Sequence, residues 1–108
     1  MNPLIYGYLR IGDDETGEQI RRTEHRMKEF AKVEGYSFAR FYFEPDDGSR
    51  CAFSALLEEL RRGEAHHVIV PSFEHFSRVP ILQNFMLGYL EHEAQACVFE
   101  LGDRSWTT

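Results

Sequence analysis

Cysteine is scarce in this chain: Cys51 and Cys97 stand alone, with no CxxC or other metal-binding spacing. That excludes a disulfide framework and a thiolate zinc site, and the pair reads as two free thiols. Long apolar runs are missing too. None approaches the roughly 20 residues that a bilayer-spanning helix needs, and nothing near the N-terminus has the basic flank and apolar core of a secretory signal. The expectation is a soluble, cytoplasmic protein with no membrane contact. Cations are outnumbered: 12 Lys and Arg face 18 Asp and Glu, a formal net charge of -6. Such a field repels nucleic acid and anionic membrane alike, so a general polyanion binder is disfavoured, although a local basic cluster can override it. There is no glycine-rich phosphate loop, internal repeat, linker or low-complexity tract.

What is present is core material. The chain has 108 residues, 43% of them hydrophobic and 14% aromatic, enough for one domain and too few for two of ordinary size. Strand and helix signals alternate along it. Leu4 to Arg10 reads as a buried strand. Glu18 to Val33 reads as a helix with Ile20, Met27, Phe30 and Ala31 on one face, stopped by Gly35. Phe38 to Phe43 is a second strand, followed by the turn signal Pro45-Asp46-Asp47-Gly48. Phe53, Leu56, Leu57 and Leu60 form a helical stripe that closes at Gly63. Val68-Ile69-Val70 is a buried strand, Pro80 opens a third helix, and Cys97 to Leu101 supplies a fourth strand. This β-α-β-α-β-α-β order implies a three-layer α/β domain, a mostly parallel sheet of four or slightly more strands with helices on both faces. In open sheets of this kind the functional crevice lies at the carboxyl ends of the strands. The loops at stake are Gly12 to Gly17, Glu44 to Cys51, and Ser72 to Arg78.

Those loops carry a family resemblance. The run Ile5-Tyr6-Gly7-Tyr8-Leu9-Arg10-Ile11-Gly12 resembles the opening strand of the serine recombinases, the resolvase/invertase type, which ends in Arg, an aliphatic residue and the nucleophilic Ser. The second loop, Glu44-Pro45-Asp46-Asp47-Gly48-Ser49-Arg50-Cys51-Ala52-Phe53, is similar to the family's acidic, Gly/Ser-containing turn into Arg-x-x-Phe. The helix after it, through Arg61-Arg62-Gly63-Glu64, resembles the family's basic-Gly-acidic ending. Where the family has Asp-Arg-Leu-Ser-Arg, this chain has Glu74-His75-Phe76-Ser77-Arg78. No one motif is specific; the three in order, over about Ile5 to Leu101, are.

The resemblance implies that Arg10, Arg50 and Arg78 correspond to phosphate-binding arginines, with Tyr8 at the aromatic position before the first. It also implies what is gone. Gly12 stands at the position of the nucleophile and has no oxygen to attack a phosphodiester. Glu74 and His75 replace the Asp-Arg pair, and a histidine lacks the permanent charge and fixed fork of an arginine. The family continues into a long dimerisation helix and a DNA-reading region, and the expectation here is a single domain, residues 1–108, without either. Lone Trp106 is expected to pack back on the domain or lie loosely.

From the residues alone the three arginines could instead be surface groups paired with Asp13, Asp46, Asp47 or Glu74. The run Asp13-Asp14-Glu15 sits where a phosphate would approach and weakens a DNA-binding reading. No cofactor is implied, and no metal: the acidic residues lack calcium-loop spacing, and adjacent His66 and His67 point to opposite faces of a strand entrance, while His25 and His92 read as helix-surface residues. Cys51, beside Arg50 at a helix start, reads as a small packed residue. In the helix after Pro80, Ile81, Leu82, Phe85, Met86, Leu87, Tyr89 and Leu90 spread over more of the circumference than one stripe needs. Burial under another helix is the first reading, and a self-association or partner face the second. The functional expectation is a resolvase-type catalytic-domain homologue, not active as an enzyme, that serves as a regulatory or interaction module, with DNA as a weak partner. The alternatives are a strand-exchange or phosphoryl-transfer enzyme that uses Ser49, Ser72 or Cys51 or acts with an active partner subunit, and a small-anion sensor.

Overall fold

The computed structural model describes residues 2–47, 49–63 and 65–101. Gly48 of the turn signal, Glu64 of the helix ending, and the segment 102–108 with Trp106 lie outside the described residues. Four strands and three main helices alternate: β1 (Leu4–Ile11), α1 (Gly17–Glu34), β2 (Ser37–Pro45), α2 (Cys51–Arg62), β3 (His67–Val70), a 3-10 turn (Phe73–His75), α3 (Pro80–Glu93) and β4 (Cys97–Glu100). The strands form one sheet in the order β2-β1-β3-β4, and every ladder in it is parallel. Parallel strands need crossovers, and the three helices supply them.

Strand β1 divides its side chains between two cores, as a period of two requires. Ile5 and Leu9 face α1, where they meet Met27, Ala31, Ile69 and Leu101. Tyr6 and Tyr8 face the other side, among Phe53, Leu56, Leu60, Phe76, Met86 and Leu90 from α2, the 3-10 turn and α3. The Tyr8 ring stacks on Phe76 with centroids 5.3 Å apart and meets Phe53 edge-on at 6.1 Å.

Local chemistry sets the helix ends. Thr16 caps α1 in a reciprocal box: its side chain accepts from the Gln19 N–H at 3.1 Å, and Gln19 Oε1 accepts from the Thr16 N–H at 2.9 Å. Gly35, at φ 85°, stops the helix in the left-handed region where a side chain would be strained. Helix α2 has no side-chain cap from its own flanking residue Arg50. Its cap comes from β2 instead, through Glu44, which accepts from the N–H groups of Ala52 and Phe53 at 3.0 Å each.

Gly7 lies at the centre of β1 for lack of room. A Cβ there would sit 2.8 Å from the Phe38 ring, 2.9 Å from that of Phe41 and 3.0 Å from the Met27 methyl. The two rings from β2 thus lie directly over the β1 backbone, beside the register shift between Ile5 and Tyr6. Gly7→Ala would gain about 0.5–1 kcal/mol of backbone preference and lose about 1–3 kcal/mol to overpacking. The expected net loss of about 1 kcal/mol would lower the melting temperature by about 4–8 °C, as differential scanning calorimetry would show.

Two expectations are corrected. Cys51 is exposed at the first turn of α2, not packed, because Glu44 and the helix N-terminus turn toward the core behind it. The third helix buries only Met86 and Leu90 among its residues. No other helix covers Ile81 (80% exposed) and Phe85 (66% exposed) among the described residues.

Candidate functional site

Strand β1 ends between β2 and β3, the place where the chain crosses from one side of it to the other. The carboxyl ends of these strands frame a cavity of about 300 Å³ lined by Arg10, Gly12, Asp14, Glu15, Asp46, Ser72, Glu74, His75 and Arg78. The crevice rule for open parallel sheets places it there. Of the residues singled out in the sequence, Arg10, Gly12, Glu74, His75 and Arg78 come together around it. Tyr8 lies behind it, fully buried, and Arg50 does not line it.

Arg10 is committed to the protein itself. Its Nε donates to the His75 carbonyl at 2.9 Å, one terminal nitrogen to the Pro45 carbonyl at 3.1 Å, and the other to the Phe76 carbonyl at 3.0 Å. A fourth contact reaches the Tyr8 hydroxyl at 3.4 Å. The guanidinium fork thus ties the ends of β1 and β2 to the loop after β3. The Arg10 backbone N–H donates to His75 Nδ1 at 3.0 Å, so the ring must hold its proton on Nε2.

Burial pushes the His75 pKa down; Glu15 pulls it back up and Arg10 adds to the lowering. Its ring is therefore neutral at pH 7, a hydrogen-bond acceptor in place of a cation. His67 is also shifted down, first by burial and then by His66. Because both titrate below the ordinary 6.5, the unfolded chain binds protons that the folded chain resists. Their contribution is complete above about pH 6.5 and is lost as the pH falls from there toward the lowered native values. His75→Asn, which offers an oxygen where Nδ1 stands and does not titrate, should flatten part of this decline. Urea unfolding at several pH values between about 5 and 7.5 would show it.

Arg78 is 81% exposed and reaches Asp46 at 3.4 Å, the kind of surface pair that contributes little to stability. Arg50 is exposed at the start of α2 and makes no ion pair among the described residues. At the nucleophile position, the Gly12 N–H donates to Glu15 Oε1 at 2.8 Å. A Cβ at Gly12 would lie 3.1 Å from Asp14 Oδ1, 3.7 Å from Glu15 Oε1 and 4.0 Å from Asp46 Oδ2. The lining sets the carboxylates of Asp14, Glu15, Asp46 and Glu74 against the guanidinium groups of Arg10 and Arg78. Ser72 is the lining hydroxyl, and its Oγ accepts from the Glu74 N–H at 3.2 Å. Ser49 and Cys51 do not line the cavity; the Ser49 hydroxyl donates to Glu44 at 3.1 Å.

Sequence reasoning missed Glu44. It is completely buried, and its carboxylate also accepts from the Tyr8 hydroxyl at 2.8 Å. The Tyr8 pKa is raised by burial and by that bond, so its hydroxyl stays a donor. The available signal was an acid on the inward side of a strand, two positions after buried Tyr42. No group of three or more His, Cys, Asp or Glu side chains is arranged to hold a metal among the described residues.

An all-parallel sheet between helical layers, with a polar cavity at the strand ends, defines an open α/β domain with its crevice at the carboxyl ends of the strands. Two solved structures share it. The N-terminal catalytic domain of TP901-1 integrase superposes with a TM-score of 0.75 at 15% identity, covering 91% of this chain and 76% of that one. The C-terminal catalytic domain of ISC1926 TnpA, an IS607-like serine recombinase, gives a TM-score of 0.76 at 12% identity, covering 96% and 72%. No curated protein matches the sequence. The family model of the resolvase N-terminal domain matches residues 5–104, and the chain belongs to that family. Among the described residues no helix is long and apolar enough to cross a membrane.

Proposed function

We propose that this chain is a resolvase-type catalytic domain that does not perform strand exchange and acts in the cytoplasm as a regulatory or protein-interaction module. The observation that carries this reading is the occupancy of the nucleophile position. Gly12 supplies no oxygen, and its N–H is taken by the Glu15 carboxylate within the same loop. Charge opposes a scissile phosphate as well. A phosphate entering this cavity meets four carboxylates (Asp14, Glu15, Asp46 and Glu74), while one of the two arginines there is already bonded to backbone carbonyls. Transition-state stabilisation of phosphoryl transfer needs cationic donors aimed at the reacting group, and the retained set does not provide them.

The partner of this domain is, in this reading, a second copy of itself. Val79, Ile81, Leu82, Phe85 and Tyr89 present apolar surface along α3, and a two-fold pair would set the same stripe against itself. Light scattering across a concentration series tests this. Self-association that disappears in Phe85→Asp supports it, and a monomer at every concentration refutes it. Binding to a fluorescent DNA duplex should be weak, with a log–log salt slope near about -0.9 if Arg78 retains one backbone contact, and Arg78→Ala should abolish what remains.

A second reading rests on Ser72, the hydroxyl that lines the cavity beside the two arginines. It makes the chain a phosphoryl-transfer enzyme with a displaced nucleophile. A covalent protein–DNA adduct lost in Ser72→Ala would establish it.

A further inference from the structure

A second concavity lies at the opposite end of the sheet, where α1 ends and β2 begins. It encloses about 520 Å³, and its lining includes Lys28, Ala31, Lys32, Tyr36, Phe38 and Phe41, with no carboxylate. Ala31, a small side chain only 1% exposed, leaves the depression open, and the half-buried aromatic rings form a wall. The Phe38 and Phe41 ring centroids are 4.4 Å apart, and Phe43 continues the row 5.5 Å beyond Phe41. The row exists because Gly7 has no Cβ to hold the rings away from β1. Strand β2 is at the edge of the sheet among the described residues, and the row runs along its α1-facing side.

The charge is as distinctive as the apolar wall. Lys28 and Lys32 lie one helical turn apart on α1, a like-charge spacing that costs a helix stability. Neither lysine, nor Arg40 at the rim, makes an ion pair among the described residues, whereas Arg22, Arg61, Arg62 and Arg78 each pair with an acid. The Lys28 Nζ sits 5.7 Å from the Phe41 ring centroid, and the Arg40 guanidinium lies 4.7 Å over Tyr42 on the other side of the strand. In a chain with a net charge of -6, this is a site where two lysines outside any ion pair among the described residues lie beside half-buried aromatic rings. Cations that neutralise phosphate beside aromatic rings that stack bases are the recurring combination for nucleotide units without duplex structure.

We infer that this concavity binds a nucleotide unit, its base against Phe38 and Phe41 and its phosphate on Lys28 and Lys32. The unit is either a free nucleotide or one residue of a single strand. The inference is independent of the reading of the strand-end cavity. A duplex keeps its bases stacked and cannot offer one to a pocket of this size, so single strands should bind and duplexes of equal length should bind less well.

Fluorescence polarisation of the full chain with a labelled oligothymidine of about 12 nucleotides tests this directly. Two phosphate contacts predict a log–log salt slope near -1.4, from about -0.7 per contact in single strands. The exposed double variant Lys28→Glu/Lys32→Glu should lose at least about tenfold in affinity, and Phe41→Leu about fivefold or more, the lower end of what one stacked base contributes. Competition by adenosine monophosphate identifies a free nucleotide as the ligand source; resistance to it identifies the strand. Amide shifts in a heteronuclear NMR titration should centre on residues 28–41. Absence of binding at low salt overturns the inference. So does unchanged affinity in either variant, competition by inorganic phosphate as strong as by the nucleotide, or amide shifts centred on Arg10 and Arg78.

Discussion

Glu44→Ala is expected to remove about 2–5 kcal/mol of folding stability, from about 1–3 kcal/mol for a buried donor left without its acceptor and about 0.5–2 kcal/mol for a lost helix cap. The residue has no exposed surface, and all its polar contacts point inward: the Tyr8 hydroxyl at 2.8 Å, the Ser49 hydroxyl at 3.1 Å, and the Ala52 and Phe53 N–H groups at 3.0 Å. Alanine would orphan the phenol of Tyr8 in the centre of a core cluster and uncap α2, for which Arg50 offers no substitute. A domain of ordinary stability has about 5–15 kcal/mol in total, so the variant would be near its unfolding threshold. Glu44→Gln keeps one acceptor oxygen but sets an NH2 group among donors, and should fall between wild type and alanine. Urea denaturation read by circular dichroism measures both; a loss below about 1 kcal/mol for Glu44→Ala would mean that water or repacking replaces the carboxylate.

Arg10→Met is expected to cost about 2–4 kcal/mol, since hydrogen bonds to a charged donor contribute about 1.5–3 kcal/mol each and part of that is recovered by water. Three carbonyls, of Pro45 at the end of β2 and of His75 and Phe76 after β3, lose their shared donor. The loss would be felt away from the substitution. Phe76 is fully buried against Tyr8, so loosening its carbonyl frees the 3-10 turn at Phe73–His75. Hydrogen exchange should therefore accelerate at the His75 and Phe76 amides, whose partners lie within that turn, while α1 is unaffected. This has a consequence for DNA experiments. A loss of binding in an Arg10 variant would report the collapse of the clip as much as a lost phosphate contact, so exposed Arg78 is the informative position.

The fold was legible because its determinants are local and periodic. Tyr6 and Tyr8 alternate with Ile5 and Leu9 along β1, Gly35 stops α1 in a conformation that suits glycine, and Pro80 opens α3. The candidate site was legible in part. Arg10, Gly12, Glu74, His75 and Arg78 meet because parallel strands bring their carboxyl ends together. What those residues bond to was not. Arg10 is held by main-chain carbonyls, which any sequence supplies, and the Gly12 amide is taken by a carboxylate three residues on. Arg50 stands apart because Glu44 draws the start of α2 toward the core by its N–H groups, leaving the flanking side chain outside. The aromatic row beside Lys28 escaped notice because it depends on the absence of an atom, the Cβ of Gly7.

In the proposed reading, more than a serine has been lost at the strand ends. Incubating supercoiled DNA with the wild-type chain and with Gly12→Ser, then probing for a covalent protein–DNA adduct after denaturation, tests it most directly. No adduct should form with either protein, because the carboxylates of Asp14, Glu15 and Asp46 still surround position 12 and His75 still accepts where the family has an arginine. An adduct with the wild-type chain, or one restored by Gly12→Ser alone, would overturn that reading.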